Sequence, residues 1–184
     1  MLATFAPKIY ADTHHKLERV FKHHNFPLNF SGSIYPAVTF NFGPRTVCVP
    51  HLDAANAPIN WCHISAYGRF DSKLGGHILL LKPRMAVEFP AGSHVLIPSA
   101  LFPHANVAIQ PGEMRQSFTQ YCAGGLLRWA DCGFRTVKRL AEEDPATHAE
   151  YVEGLRKRTL ACVDLFSTLE SLGADRVALV QGQL

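Results

Sequence analysis

Two metal-binding side chains stand two residues apart in Pro50-His51-Leu52-Asp53-Ala54-Ala55-Asn56. The run before them, Arg45-Thr46-Val47-Cys48-Val49, reads as a strand. On an extended backbone, residues two apart point to the same side, so His51 and Asp53 can aim an imidazole and a carboxylate at one point. Those groups make half a metal site. A second histidine would complete the two-His, one-carboxylate set that holds Fe(II) and leaves positions open for substrate and O₂. Alone, an H-x-D tripeptide is most often a surface histidine beside a turn aspartate.

Three histidines further on are candidates for the third ligand. His77 and His94 lie within or at the start of apolar strands, where an ordinary outward-facing histidine is also expected. His104 lies in the irregular stretch Leu101-Phe102-Pro103-His104-Ala105-Asn106, which can place a side chain at the mouth of a barrel. What favours His104 is the next strand, Met114-Arg115-Gln116-Ser117. Arg115 and Ser117 share a face, and a planar guanidinium beside a hydroxyl suits the remote carboxylate of a dicarboxylate.

These residues need elements to carry them. Residues 9–24 read as a helix, with His14-His15 and His23-His24 on it. Adjacent helical residues point about 100° apart, so neither pair chelates well and both read as surface histidines. A breaker segment, 25–32, follows. Between 35 and 121 about seven or eight short strands are separated by Gly/Pro turns, a pattern of sandwiches, jelly rolls and barrels. They include Tyr35 to Phe42, Trp61 to Phe70, His77 to Leu81, Ala86 to Phe89, Ser93 to Pro98, Val107 to Ile109 and Met114 to Tyr121. Past Gly124-Gly125 the chain turns helical, first over 136–143. Asp144-Pro145 is an N-cap followed by proline at the first helical position. Tyr151, Leu155, Cys162, Phe166 and Leu169 then predict an amphipathic helix ending near Gly173. The expected organisation is one domain over 1–184, mainly β with flanking helices, with a core at 35–122 and a helical C-terminal part at 135–172.

Composition bounds the function. The chain has 184 residues, 47% hydrophobic and 18% charged, with a net charge of +3. That balance fits a globular domain with a real core. It permits a nucleic-acid partner without arguing for one, since Arg156-Lys157-Arg158 is short and reads as a solvated helix face. The five cysteines form no C-x-x-C pair, which leaves a zinc ribbon or a redox motif unsupported and fits reduced intracellular thiols. No apolar run approaches the roughly 20 residues of a membrane span, and no secretory signal is expected at the N-terminus.

Taken together, these blocks resemble the Fe(II)/2-oxoglutarate-dependent dioxygenases of the TET/J-binding-protein type, in particular the fungal, basidiomycete branch found beside transposons. The blocks are Thr39-Phe40-Asn41-Phe42-Gly43-Pro44-Arg45-Thr46, His51-Leu52-Asp53-Ala54-Ala55-Asn56, Gly75-Gly76-His77, Phe89 to Ser99, His104-Ala105-Asn106 and Gly112 to Tyr121. The resemblance covers roughly residues 36 to 135 and implies a double-stranded β-helix (a jelly roll). It implies Fe(II) on His51, Asp53 and His104, with 2-oxoglutarate and O₂ as co-substrates. Arg115 matches the 2-oxoglutarate anchor, Ser117 the hydroxyl beside it, and Arg45 an arginine that meets the other end. Asn56 and Tyr121 match the residues that contact and stack on a flipped methylated base. The implied substrate is 5-methylcytosine or N6-methyladenine in DNA, and the implied location is nuclear. Leu52 stands where relatives usually carry arginine. The same oxygenase chemistry on a protein or small molecule, and a catalytically inactive jelly-roll binding module, are the alternatives. A cupin ranks below them, because cupins offer H-x-H with a glutamate.

Overall fold

The computed structural model describes residues 1–28 and 30–184, so Asn29, within the 25–32 breaker segment, lies outside the described residues. Contacts divide the chain into two compact units, Tyr35–Ala123 and a helical unit of Met1–Ile34 with Gly124–Leu184.

The β unit holds seven strands: β1 (Ala37–Asn41), β2 (Cys62–Arg69), β3 (Ile78–Leu80), β4 (Met85–Val87), β5 (His94–Ile97), β6 (His104–Asn106) and β7 (Met114–Tyr121). They form a four-stranded sheet in the order β1-β7-β2-β5 and a three-stranded sheet in the order β4-β3-β6. Every pairing within these sheets is antiparallel. The register sets which residues share a face. Asn41 pairs with Ser117 and Thr39 with Thr119, while Ala66 pairs with Ser117 and Ile64 with Thr119. With a side-chain period of two, Thr39, Asn41, Ile64, Ala66, Arg115, Ser117, Thr119 and Tyr121 then face one way.

Residues of both sheets share one core: Cys62, Ile64 and Ala66 from β2, Ile97 from β5 and Ile78 from β3, with Phe89. Full burial of each large apolar side chain is worth roughly 1.5–3 kcal/mol. The core therefore holds the sheets at the spacing the polar residues beside it need.

Two expected strands differ. Arg45 to Val49 is extended but not a strand, making an isolated bridge from Arg45 to Arg115 and single backbone bonds to Arg115 and Asn106. Valine and threonine favour extension, but a ladder needs a continuous neighbour, and here the partner changes from Arg115 on β7 to Asn106 and His104 on β6 within a few residues. The short strand falls on His104–Asn106 instead of Val107 to Ile109.

In the helical unit, α1 (Leu2–Phe5) precedes α2 (Pro7–His24), which buries Ile9, Leu17 and Val20 and ends on Asn25 in the left-handed conformation. The histidines His23 and His24 stack on Phe134 and Trp129, at ring distances of 3.7 and 4.8 Å. Further on come α3 (Gly124–Asp131), α4 (Val137–Glu143), α5 (Pro145–Ala161) and α6 (Leu172–Val180). Thr136 and Asp144 cap α4 and α5 through their side chains. The expected amphipathic C-terminal helix is corrected. Among the described residues α5 buries none, its apolar residues being spread around the helix, and it stops at Ala161. Gly173 is not a stop but lies in the first turn of α6. Among the described residues no helix is long and apolar enough to cross a membrane.

Candidate active site

The segment carrying His51 and Asp53 is tacked to its neighbours by single bonds rather than by a ladder. The Arg115 N–H donates to the Pro44 carbonyl at 2.6 Å, and the Thr46 N–H donates to the Arg115 carbonyl at 3.1 Å. The approach is close: a Cβ on Gly43 would meet the Arg115 carbonyl oxygen at 2.8 Å, so this contact requires glycine. Next, the Asn106 side chain accepts from the Cys48 N–H at 2.7 Å and donates to the Thr46 and Val107 carbonyls. His51 and His104 then exchange both backbone hydrogen bonds, at 3.0 and 2.9 Å. The Asp53 N–H donates to the Ser99 carbonyl at 3.1 Å.

That bridge puts the two imidazoles side by side, with ring centroids 4.3 Å apart. Each histidine Nδ1 meets a carbonyl two residues back, Val49 at 2.8 Å and Phe102 at 3.0 Å. A carbonyl can only accept, so in a neutral ring Nδ1 carries the proton and Nε2 the free lone pair. Both Nε2 atoms turn to Asp53, His51 at 3.6 Å from Oδ1 and His104 at 4.0 Å from Oδ2. Each gap is within the roughly 4.2 Å that two ligands at about 2.1 Å from one ion can span, and the two run to different oxygens of the carboxylate. His51, Asp53 and His104 thus form a group able to hold a metal ion, one ligand atom from each lying within 4.8 Å of the others. Burial pushes the His104 imidazole below the ordinary histidine range, against the Phe102 carbonyl, which favours the charged form. A neutral imidazole is the form that binds a metal.

The group opens on a cavity of about 650 Å³ between the sheets, lined also by Arg115, Ser117, Asn41, Asn106, Asn56 and Tyr121. Arg115 is 2% exposed. Its Nη1 donates to the Thr46 carbonyl at 3.3 Å, while its buried Nε meets no partner. Among the described residues no carboxylate pairs with it. Burial accordingly lowers its pKa. A buried cation without a counter-ion is expensive unless an anion arrives from outside. Beside it, Asn41 Nδ2 donates to Ser117 Oγ at 3.0 Å. With its oxygen accepting there, the Ser117 hydroxyl is left to donate to such an anion.

Seven of the residues singled out from the sequence thus meet in this cavity: His51, Asp53, His104, Arg115, Ser117, Asn56 and Tyr121. Arg45 does not. It is absent from the lining, and its guanidinium reaches the Ile109 carbonyl at 3.5 Å. The Asn56 amide turns to Asp53 Oδ2, Ser99 Oγ and Cys62 Sγ, each at 3.3 Å. Sequence reasoning missed Asn41, Ser99, Cys62 and Asn106 as parts of the site. Only for Asn41 was a signal present, its strand alternation with Thr39 on the edge before Gly43.

No family model and no curated protein sequence matches the chain. Among solved structures it is similar to NgTET1 in complex with 5mC DNA, at TM-score 0.45 and 15% identity over 62% of this chain. The chain spans about half of that protein, 48% of its length. It is also similar to the viral collagen prolyl hydroxylase vCPH from Paramecium Bursaria Chlorella virus-1 in its 2OG complex. There the TM-score is 0.33 and the identity 11%, over 59% of this chain and 69% of that one.

Proposed function

We propose that the protein is an Fe(II)/2-oxoglutarate-dependent dioxygenase, one oxygenase-like domain whose two antiparallel sheets are the walls of a double-stranded β-helix. The observation that carries this is Arg115: a buried cation with no carboxylate partner among the described residues, facing the same cavity as His51, Asp53 and His104. The donor set fits Fe(II), two neutral imidazoles and one carboxylate leaving positions for a co-substrate and O₂. When bound, iron supplies O₂ activation coupled to decarboxylation of 2-oxoglutarate to succinate and CO₂, and oxidation of a substrate C–H bond. The chain's own groups orient the partners. Arg115 grips the distal carboxylate of 2-oxoglutarate and Ser117 adds a hydrogen bond. The Val49 and Phe102 carbonyls hold the two imidazoles in the ligating tautomer.

For the oxidised substrate we favour a methylated base flipped out of DNA, with Tyr121 offering a stacking face in the cavity. With Nδ2 committed to Asp53, Asn56 would offer its Oδ1 to a base edge. One observation favours a second substrate class, a protein or small molecule. Leu52 is 45% exposed and lines the cavity with Ala54 and Ala55. An uncharged side chain at Leu52 offers nothing to a phosphate backbone.

Purified protein given Fe(II), 2-oxoglutarate and O₂ is expected to form succinate, and His51→Ala to lose at least 100-fold of that rate. Mass spectrometry of nucleosides after incubation with 5-methylcytosine, N6-methyladenine and unmodified DNA then separates the substrates. Oxidised methyl groups support the base. Succinate formation with methylated DNA untouched supports the second class. Absence of both iron binding and succinate would leave an inactive binding module.

A further inference from the structure

We infer that Asn56 is a positioning residue that makes Asp53 a single-oxygen ligand, an inference that rests on the metal reading above. The two carboxylate oxygens of Asp53 have different surroundings. Oδ1 faces His51 Nε2 at 3.6 Å. Oδ2 lies 4.0 Å from His104 Nε2 but closer, at 3.3 Å, to the Asn56 amide nitrogen, with the Cys62 thiol also at 4.0 Å.

The donor at Oδ2 is itself fixed from behind. Asn56 Nδ2 reaches Ser99 Oγ and Cys62 Sγ at 3.3 Å each, and Ser99 Oγ and Cys62 Sγ lie 2.8 Å apart. Ser99 is 0% and Cys62 2% exposed, so water does not compete for these bonds. The backbone repeats the clamp: Asn56 N–H donates to the Asp53 carbonyl at 2.9 Å, and Asp53 N–H to the Ser99 carbonyl at 3.1 Å. Side chain and main chain therefore set the carboxylate plane together.

The consequence is a count of open positions. The amide bond occupies one lone pair of Oδ2 and stabilises it as the non-ligating oxygen, while the clamp fixes the carboxylate plane, so the ion takes Oδ1. A carboxylate can otherwise bind one ion through both oxygens. With one oxygen from Asp53 and one nitrogen from each histidine, a six-coordinate ion would keep three positions. A chelating Asp53 would leave two, too few for a keto acid bound through two oxygens and O₂ together. Asn56 thereby guards the third position without touching the ion.

The test is a Co(II) titration of the full chain followed by visible absorption, beside a thermal melt. Asn56→Leu keeps the volume and removes both donors. Asn56→Ala is the second variant, should leucine prevent folding. The expected result is a Kd for Co(II) raised about 10- to 100-fold. The visible band should also change shape, as the carboxylate swings to chelate, while the metal-free melt moves little. A Kd within twofold of wild type and an unchanged band would overturn the inference and leave the metal site standing. A lowered melting temperature with an unchanged band would equally overturn it, marking Asn56 as structural only. Wild-type protein that takes up no Co(II) would overturn both this inference and the metal reading.

Discussion

Arg115 and Asp53 face one cavity, yet the chain holds them by opposite means. Arg115 lies in an eight-residue strand paired along much of its length with β2 and, from Asn41 to Ala37, with β1. Glycine stands against it on both sides, Gly43 in the incoming loop and Gly68 as its register partner on β2. The backbone around Arg115 is therefore packed too closely for a Cβ at either glycine. Asp53 lies in a loop with no ladder. Its position depends on one bond to Ser99, one bridge between His51 and His104, and the Asn106 side chain upstream. The anion pocket is thus part of one sheet, while the ligand group joins a loop carrying His51 and Asp53 to His104 at the start of β6. Loss of a single bond should be local in the first and should spread in the second.

The largest effect expected on the sheet side comes from Arg115→Met. It removes a buried charge and keeps most of the volume. Co-substrate binding should weaken by about 2–5 kcal/mol, roughly 30- to several thousand-fold in KM for 2-oxoglutarate. The metal-free protein should melt at the same temperature or higher, because an unpaired buried cation is no longer desolvated. A melting temperature lowered by many degrees would show instead that the guanidinium is a structural brace. The comparison would then fail on that side.

On the loop side Asn106→Ala should act on stability and metal affinity together. Its side chain makes three hydrogen bonds to Thr46, Cys48 and Val107, at 2.7–3.4 Å. Leaving such groups buried and unpaired costs about 1–3 kcal/mol, readable as a shifted urea midpoint. Because the 46–51 segment carries His51, Co(II) affinity should fall in the same variant. A stability loss with unchanged metal affinity would mean the bridge between His51 and His104 suffices alone.

This contrast also explains what could be read from the sequence. The sheet half was legible, since Met114 to Tyr121 alternates along its whole length and the element coincides with β7. Arg115 and Ser117 share a face for the same period-two reason. The loop half was legible only as residue types. His51-Leu52-Asp53 suggested a ligand pair, but the strand expected before it does not form, because its partner changes from β7 to β6 within a few residues and no ladder runs its length. The roles of Asn106 and Ser99 arise from contacts across 37 to 60 positions of chain, and no local pattern encodes them. Arg45 shows the converse failure. Its place before the tripeptide suggested a cavity role, but its side chain leaves toward Ile109. In the helical unit the three-to-four spacing from Tyr151 to Leu169 was too irregular to make a buried face, and α5 has none among the described residues.

The central claim is that one cavity joins a metal ion on His51, Asp53 and His104 to a dicarboxylate on Arg115. Its most direct test is a crystal structure with Mn(II) and N-oxalylglycine, a non-reacting stand-in for 2-oxoglutarate. Expected is an anomalous peak bonded to His51 Nε2, Asp53 Oδ1 and His104 Nε2, with the far carboxylate of the ligand on the Arg115 guanidinium and the Ser117 hydroxyl. An ion held elsewhere, or a ligand whose far carboxylate does not reach Arg115, would contradict the account.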